Sequence, residues 1–263
     1  MKRHKILVVA VLCLLTIVPV AFAGCGTAGL GEGGTVVLTI EQALAADPGQ
    51  LIKVQGTVVA TGTEVVLASL LLESYPPQAG GATLPVEDLD LEELVGLSST
   101  AGQPELAQVT WSDYWVVLEG VINDGVLDVQ KTPRVVEATS GEVRVRFSPV
   151  SEPLVAGDQV WWAFDVKNVG MTPLDLTFSS GQRGDVILTQ DGMEEYRWSA
   201  GKAFTEAIET VTIKPGIALS IVLNDKVQVA PGEYDLTATI TAAAGPENAL
   251  AALPELRTAV TVR

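Results

Sequence analysis

From Glu142 to the end of the chain, apolar and polar residues alternate with a period of two. Val143, Val145 and Phe147 interleave with Arg144 and Arg146; Val160, Trp162, Phe164 and Val166 share one face; Tyr234, Leu236, Ala238 and Ile240 stand against Asp235, Thr237 and Thr239. Successive side chains of an extended strand point to opposite sides, so the pattern predicts strands with one face in a core and the other in solvent. Lys214-Pro215-Gly216 and Ala230-Pro231-Gly232 interrupt it as turns. With residues 174–178, 185–190, 218–223 and 258–262, this makes seven or eight strands in about 120 residues. That count and spacing predict an antiparallel immunoglobulin-like β-sandwich over residues 141–263.

The preceding stretch has a different texture. Residues 36–39 read as a short strand entering a helix, which opens with a capping box of Thr39 and Gln42 and stops before Asp47-Pro48-Gly49. Residues 51–60 and 64–71 form a long hairpin around Thr61-Gly62-Thr63, and Gly56 suits a bulge where the first arm bends. Residues 114–122 and 126–130 form a second hairpin around Asn123-Asp124-Gly125. Five or so bent strands over about 100 residues resemble a small OB-like barrel, expected over residues 35–138. The apolar alternation lapses at residues 139–141, where the two segments meet. Residues 87–94 (EDLDLEEL) read as a short solvated helix with acids at its favourable N-terminal end. The alternative is a calcium site, for which the Asp-x-Asp-x-Asp-Gly spacing is absent.

The beginning of the chain changes the chemistry available to the rest. Lys2, Arg3 and Lys5 precede an uncharged apolar run over residues 6–23, and small residues lead to Cys25. The segment resembles a bacterial lipobox, with Phe22 where Leu is usual. It implies a signal peptide over residues 1–24, cleavage before Cys25 and acylation of that cysteine, palmitate being one such acyl group. The expected location is the outer face of the cytoplasmic membrane, or an outer membrane if the cell has one. An uncleaved anchor is the alternative, since the run lies at the lower edge of spanning length. Glycine-rich residues 25–34 then form a flexible tether.

Cleavage removes His4, the only histidine, and Cys13, the only other cysteine. Cys/His nucleophiles, Ser/His triads and zinc sites built from His or Cys are thereby excluded from the mature chain. Without Lys2, Arg3 and Lys5, the 16 Lys and Arg become 13 against 32 Asp and Glu, a net charge of −19. Such a surface repels phosphate backbones, so nucleic acid is not an expected partner. Nothing in the sequence calls for a cofactor or a metal.

Within the sandwich segment, Phe178-Ser-Ser-Gly-Gln182, Asp185-Val-Ile-Leu188, Asp191-Gly192, Tyr196-Arg-Trp-Ser199, Gly201-Lys202, Phe204, Lys214-Pro-Gly216 and Pro231-Gly-Glu-Tyr234 occur in order. This series resembles the BsuPI family, named for an intracellular proteinase inhibitor of bacilli. The resemblance implies an immunoglobulin-like sandwich and inhibition of a serine proteinase. Arg183-Gly184 stands where the family pattern has an aromatic residue before Asp185. Candidate partner-binding residues are Tyr196, Arg197 and Trp198, together with Pro246, Glu247 and Asn248 in residues 242–255, the longest interruption between predicted strands. Trp198 and Phe204 are also large enough to be core pieces.

Two further strings invite a function. Ser199-Ala-Gly-Lys202 has the S-x-x-K spacing of penicillin-recognising enzymes but lacks their companion elements. Arg183-Gly184-Asp185 spells the tripeptide read by adhesion receptors, yet falls at a predicted strand start. The leading expectation is therefore a non-catalytic envelope lipoprotein that binds or inhibits an exported serine proteinase. The second is a scaffolding module with a protein or glycan partner, and the third is an enzyme relying on paired carboxylates that no spacing identifies.

Overall fold

The structure, a computed structural model, describes residues 36–62, 64–101, 103–149, 152–245 and 250–263. Residues from Thr35 onward form one compact unit with two main hydrophobic cores.

The first core lies inside a barrel. Strand β1 (Val37–Leu38) runs parallel to β2 (Leu51–Thr61), and between them sits helix α1 (Ile40–Leu44). The capping box is present: the Thr39 hydroxyl accepts from the Gln42 backbone N–H at 3.3 Å, and the Gln42 side chain accepts from the Thr39 N–H at 2.9 Å. These bonds satisfy two of the donors that a helix start leaves unpaired. They fix α1 so that Ile40 and Ala43 are buried.

Strands β3 (Glu64–Leu72), β4 (Gln78–Glu87), β5 (Leu97–Ser99), β6 (Val109–Ser112), β7 (Val116–Asn123) and β8 (Val126–Lys131) complete the region. β2 pairs with β7 through Gly56, then with β3 from Thr57 onward. With β3–β4, a parallel β4–β8 contact and β8–β7, the five strands close a ring of OB-like topology. Gly56 stands where β2 changes partners. A Cβ there would lie 2.9 Å from Ile40 Cδ1 and 3.1 Å from the Ala68 carbonyl oxygen, so bare backbone is needed for close approach. No bulge is recorded at Gly56 itself; the register shift in this part of the barrel falls between Ala68 and Leu70. Asp124 (φ 49°) and Gly125 (φ 79°) make the two-residue turn between β7 and β8, the geometry that suits the twist of a hairpin. Residues 87–94 contain one 3-10 turn at Leu91–Glu93, capped by Asp90, rather than a longer helix. Among the described residues no group of three or more His, Cys, Asp or Glu is placed to hold a metal.

The second core lies inside the sandwich. One layer has the order β16-β11-β10-β9, formed by β9 (Val136–Ser140), β10 (Val143–Pro149), β11 (Gln159–Asn168) and β16 (Ala218–Lys226). Opposite it, β13 (Gly184–Gln190) lies between β14 (Met193–Arg197) and β17 (Gly232–Ile240), and β20 (Leu256–Val262) closes the far edge. β12 (Leu174–Phe178), β15 (Glu209–Ile213), β18 (Ala242–Ala244) and β19 (Ala251–Ala252) form a third sheet. Phe147, Trp162, Phe164, Leu176, Phe178 and Leu188 interlock between them. β9 begins inside the segment expected to belong to the barrel. Its backbone pairs with β10 at Val136↔Phe147 through Ser140↔Val143, so pairing continues where side-chain alternation lapses.

Barrel and sandwich meet along the outer face of β11. Ala163 is buried within the barrel's cluster, with Trp161 and Val222 packed beside it. Gly96 (φ +82°) passes so close that a Cβ would lie 2.9 Å from the Ala163 Cβ. Its N–H donates to Asp165 Oδ1 at 3.0 Å, and the Ser220 hydroxyl lies 2.7 Å from that oxygen and 2.8 Å from the Leu97 carbonyl.

Candidate functional site

The candidate residues on β14 follow a turn at Asp191 (φ 52°) and Gly192 (φ 79°), which returns the chain against β13. Tyr196 pairs with Leu188 and Arg197 with Ile187. The chain then crosses toward the β16 end, tied down at two carboxylates.

Asp185 is the first. It is buried and accepts from the backbone N–H groups of Val186 and Ser199, both at 3.0 Å, and from the Ser199 hydroxyl at 2.6 Å. The two N–H groups bond Oδ1 and the hydroxyl Oδ2, and Arg197 Nη1 lies 3.3 Å from that same Oδ2, while Arg197 also grips Glu194 at 2.5 and 2.9 Å. Asp225 is the second. Lys202 Nζ lies 2.9 Å away, the Tyr196 hydroxyl 3.4 Å, and the Lys226 N–H donates at 2.8 Å. Partial burial raises the Asp225 carboxyl, but the hydrogen bonds from Lys202 and Lys226 and the lysine charge together hold it below the usual aspartate range.

Trp198 lies between these points. Its indole N–H donates to the Asn224 carbonyl at 3.0 Å, its ring faces Phe204 at 5.8 Å, and Lys202 Nζ lies 4.5 Å above it. Tyr196, Arg197 and Trp198 are therefore half-buried, and their polar atoms are engaged within the chain. The Ser-x-x-Lys string spans a turn whose lysine is committed to Asp225. In the Arg-Gly-Asp string, Gly184 and Asp185 are buried, Arg183 pairs with Glu209, and its guanidinium lies 4.3 Å above the Phe178 ring. None of the three is presented as an adhesion motif.

The long interruption at residues 242–255 contains a short hairpin. Ala243 pairs with Ala252 and Ala244 with Ala251, extending the β12 sheet, and Leu250 is exposed. Pro246, Glu247 and Asn248 lie outside the described residues, as does Cys25.

Residues 151–245 match the family model for BsuPI, described as intracellular proteinase inhibitor. No curated protein matches the chain. Among solved structures, a CARDB domain from Pyrococcus furiosus is 16% identical, with a TM-score of 0.27, and the match covers 46% of this chain and 94% of that one. The sporulation control protein Spo0M from Bacillus subtilis is 15% identical, with a TM-score of 0.29, over 47% of this chain and 50% of that one.

Proposed function

We propose that the chain is a non-catalytic lipoprotein of the cell envelope, held by acylated Cys25, whose sandwich domain binds and inhibits an exported serine proteinase. The match of residues 151–245 to an inhibitor family carries this reading. The Asp185 and Asp225 ties support it, because a preorganised surface loses little conformational entropy on binding. Pro246, Glu247 and Asn248, between β18 and β19 in the sequence, are the residues proposed to contact the proteinase. The lipobox-like start supports an exported target, although the matching family is described as intracellular.

Titrating residues 35–263 against a panel of serine proteinases tests inhibition. Stoichiometric loss of activity is expected for at least one enzyme, and unchanged activity across the panel at micromolar inhibitor contradicts it. Labelling cells with a radioactive fatty acid tests the anchor separately. Label is expected on the native chain and not on Cys25→Ala.

A further inference from the structure

Beside the tight contact at Gly96, barrel and sandwich part to leave a cleft. Two rungs of the β2–β7 ladder form its floor, Gln55 opposite Val117 and Lys53 opposite Glu119. One end, about 380 Å³, is walled by Trp115, Trp161, Asp158 and Gln159. The other, about 610 Å³, holds Lys131, Arg134 and Arg146 facing Glu93, Glu137 and Glu152. Val117 borders both, so the two ends are neighbouring parts of one groove.

From this geometry we infer that the groove binds a neutral oligosaccharide, with a sugar ring lying on the Trp115 end and its neighbours extending toward the charged end. Trp115 is 47% exposed and has no aromatic partner or hydrogen bond among the described residues. An indole left open in a cleft offers a flat apolar surface, matching the C–H face of a pyranose. Around it the Gln55 amide can both donate and accept, Gln159 offers its side-chain carbonyl while its Nε2 donates to the Asp225 carbonyl at 3.3 Å, and Asp158 accepts.

At the charged end Arg134 is hydrogen-bonded to Glu152 at 2.5 and 3.0 Å, while Lys53 lies 3.7 Å from Glu119 and Arg146 4.0 Å from Glu137, too far to use up their hydrogen-bonding capacity, and Lys131 and Glu93 complete the lining. Four cations and four carboxylates leave no net charge but many donors and acceptors. Hydroxyl groups, which donate and accept together, suit such a lining. A polyanion meets four carboxylates there and an acidic molecule around them.

The backbone argues against an extended peptide. β2 pairs with β7 on one side and with β1 and β3 on the other, while β7 pairs with β2 and β8. From Glu119 onward the floor is closed by β8, and the free edge of β7 is confined to Val116–Leu118, three residues, too short for an extended peptide to add along the groove. None of the groove's lining residues belongs to the patch on β2, β3 and β6 where Val59, Val109 and Trp111 already pack together.

The test uses the full chain, purified in a detergent without a sugar headgroup, and is independent of proteinase binding. Tryptophan fluorescence and calorimetry would be followed during titration with β-1,4-linked N-acetylglucosamine tetramer, cellotetraose and maltotetraose. Inorganic polyphosphate and an unstructured acidic peptide serve as competitors. We expect saturable binding of at least one tetrasaccharide, weakened at least tenfold by Trp115→Ala and several-fold by Asp158→Ala, with both variants unfolding at the native midpoint. Binding untouched by Trp115→Ala would overturn the inference. So would the absence of binding by all three sugars at millimolar concentration, or displacement of the bound sugar by polyphosphate or peptide.

Discussion

Trp198 and Trp115 are both partly exposed indoles, yet their surroundings are opposite. Trp198, inside the run of family-like motifs, has its N–H bonded, its ring faced by Phe204 and a lysine above it. Trp115, in no motif, lies open at the mouth of a cleft. The comparison teaches that the residues carrying a family resemblance can be those that hold the fold, while surface free to bind is found elsewhere.

The sharpest way to break this comparison is to remove the tie point under the motif. Asp185→Ala leaves several buried or half-buried donors without an acceptor and is expected to destabilise the chain by about 3 kcal/mol, read from urea unfolding. A loss below about 1 kcal/mol contradicts a scaffolding role for this carboxylate. Next comes the pair itself. Trp198→Ala is expected to cost about 2 kcal/mol, less than a fully buried tryptophan because the ring is half-exposed, while Trp115→Ala should cost less than about 0.5 kcal/mol. Equal losses would erase the distinction. Gly56→Ala, by contrast, probes the barrel alone and should cost about 1 to 2 kcal/mol, because the added methyl meets the Ala68 carbonyl and the Ile40 side chain.

The smallest effect concerns pH at the barrel–sandwich contact. Burial pushes the Asp165 carboxyl above the usual aspartate range, opposed by hydrogen bonds from Ser220 and Gly96 and by the charges of Arg146 and Lys167. The folded state therefore holds this proton more tightly than the unfolded one. The resulting stabilisation is full below the ordinary aspartate pKa of about 3.9 and is lost as pH rises through the raised value. Asp165→Asn cannot titrate, so relative to the native chain it should grow more stable as pH rises through that window. Unfolding midpoints of the two proteins across the window check this, and a parallel dependence would contradict it.

Much of the sandwich was legible because an antiparallel sheet with one buried face imposes alternation on its residues, as at Val160, Trp162, Phe164 and Val166. The turn at Asp124-Gly125 and the Thr39–Gln42 box were legible because their chemistry is local. β4 was not. Gln78–Glu87 contains Gly80, Gly81 and Pro85, and its place is set by pairing with β3 and β8 rather than by strand propensity. β9 escaped because it offers only Val136 and Ala138 to the core before alternation lapses at Thr139 and Ser140, while its backbone pairing with β10 continues.

Of the candidate site, the motif residues could be found from their order along the chain, but not their inward commitments to Asp185 and Asp225. The groove left no spacing to read. Trp115 and Trp161 belong to different halves of the chain and become neighbours only when the outer face of β11 packs against the barrel. The surplus of acids likewise concealed the four cations gathered at one end of the cleft.

Hydrogen exchange tests the central claim most directly, with the chain measured alone and then mixed with the exported serine proteinases of its own cell, their active sites blocked. Added protection is expected only in the sandwich, within residues 152–263, with the barrel strands between Leu51 and Lys131 unchanged. Protection confined to the barrel, or none anywhere, would contradict it.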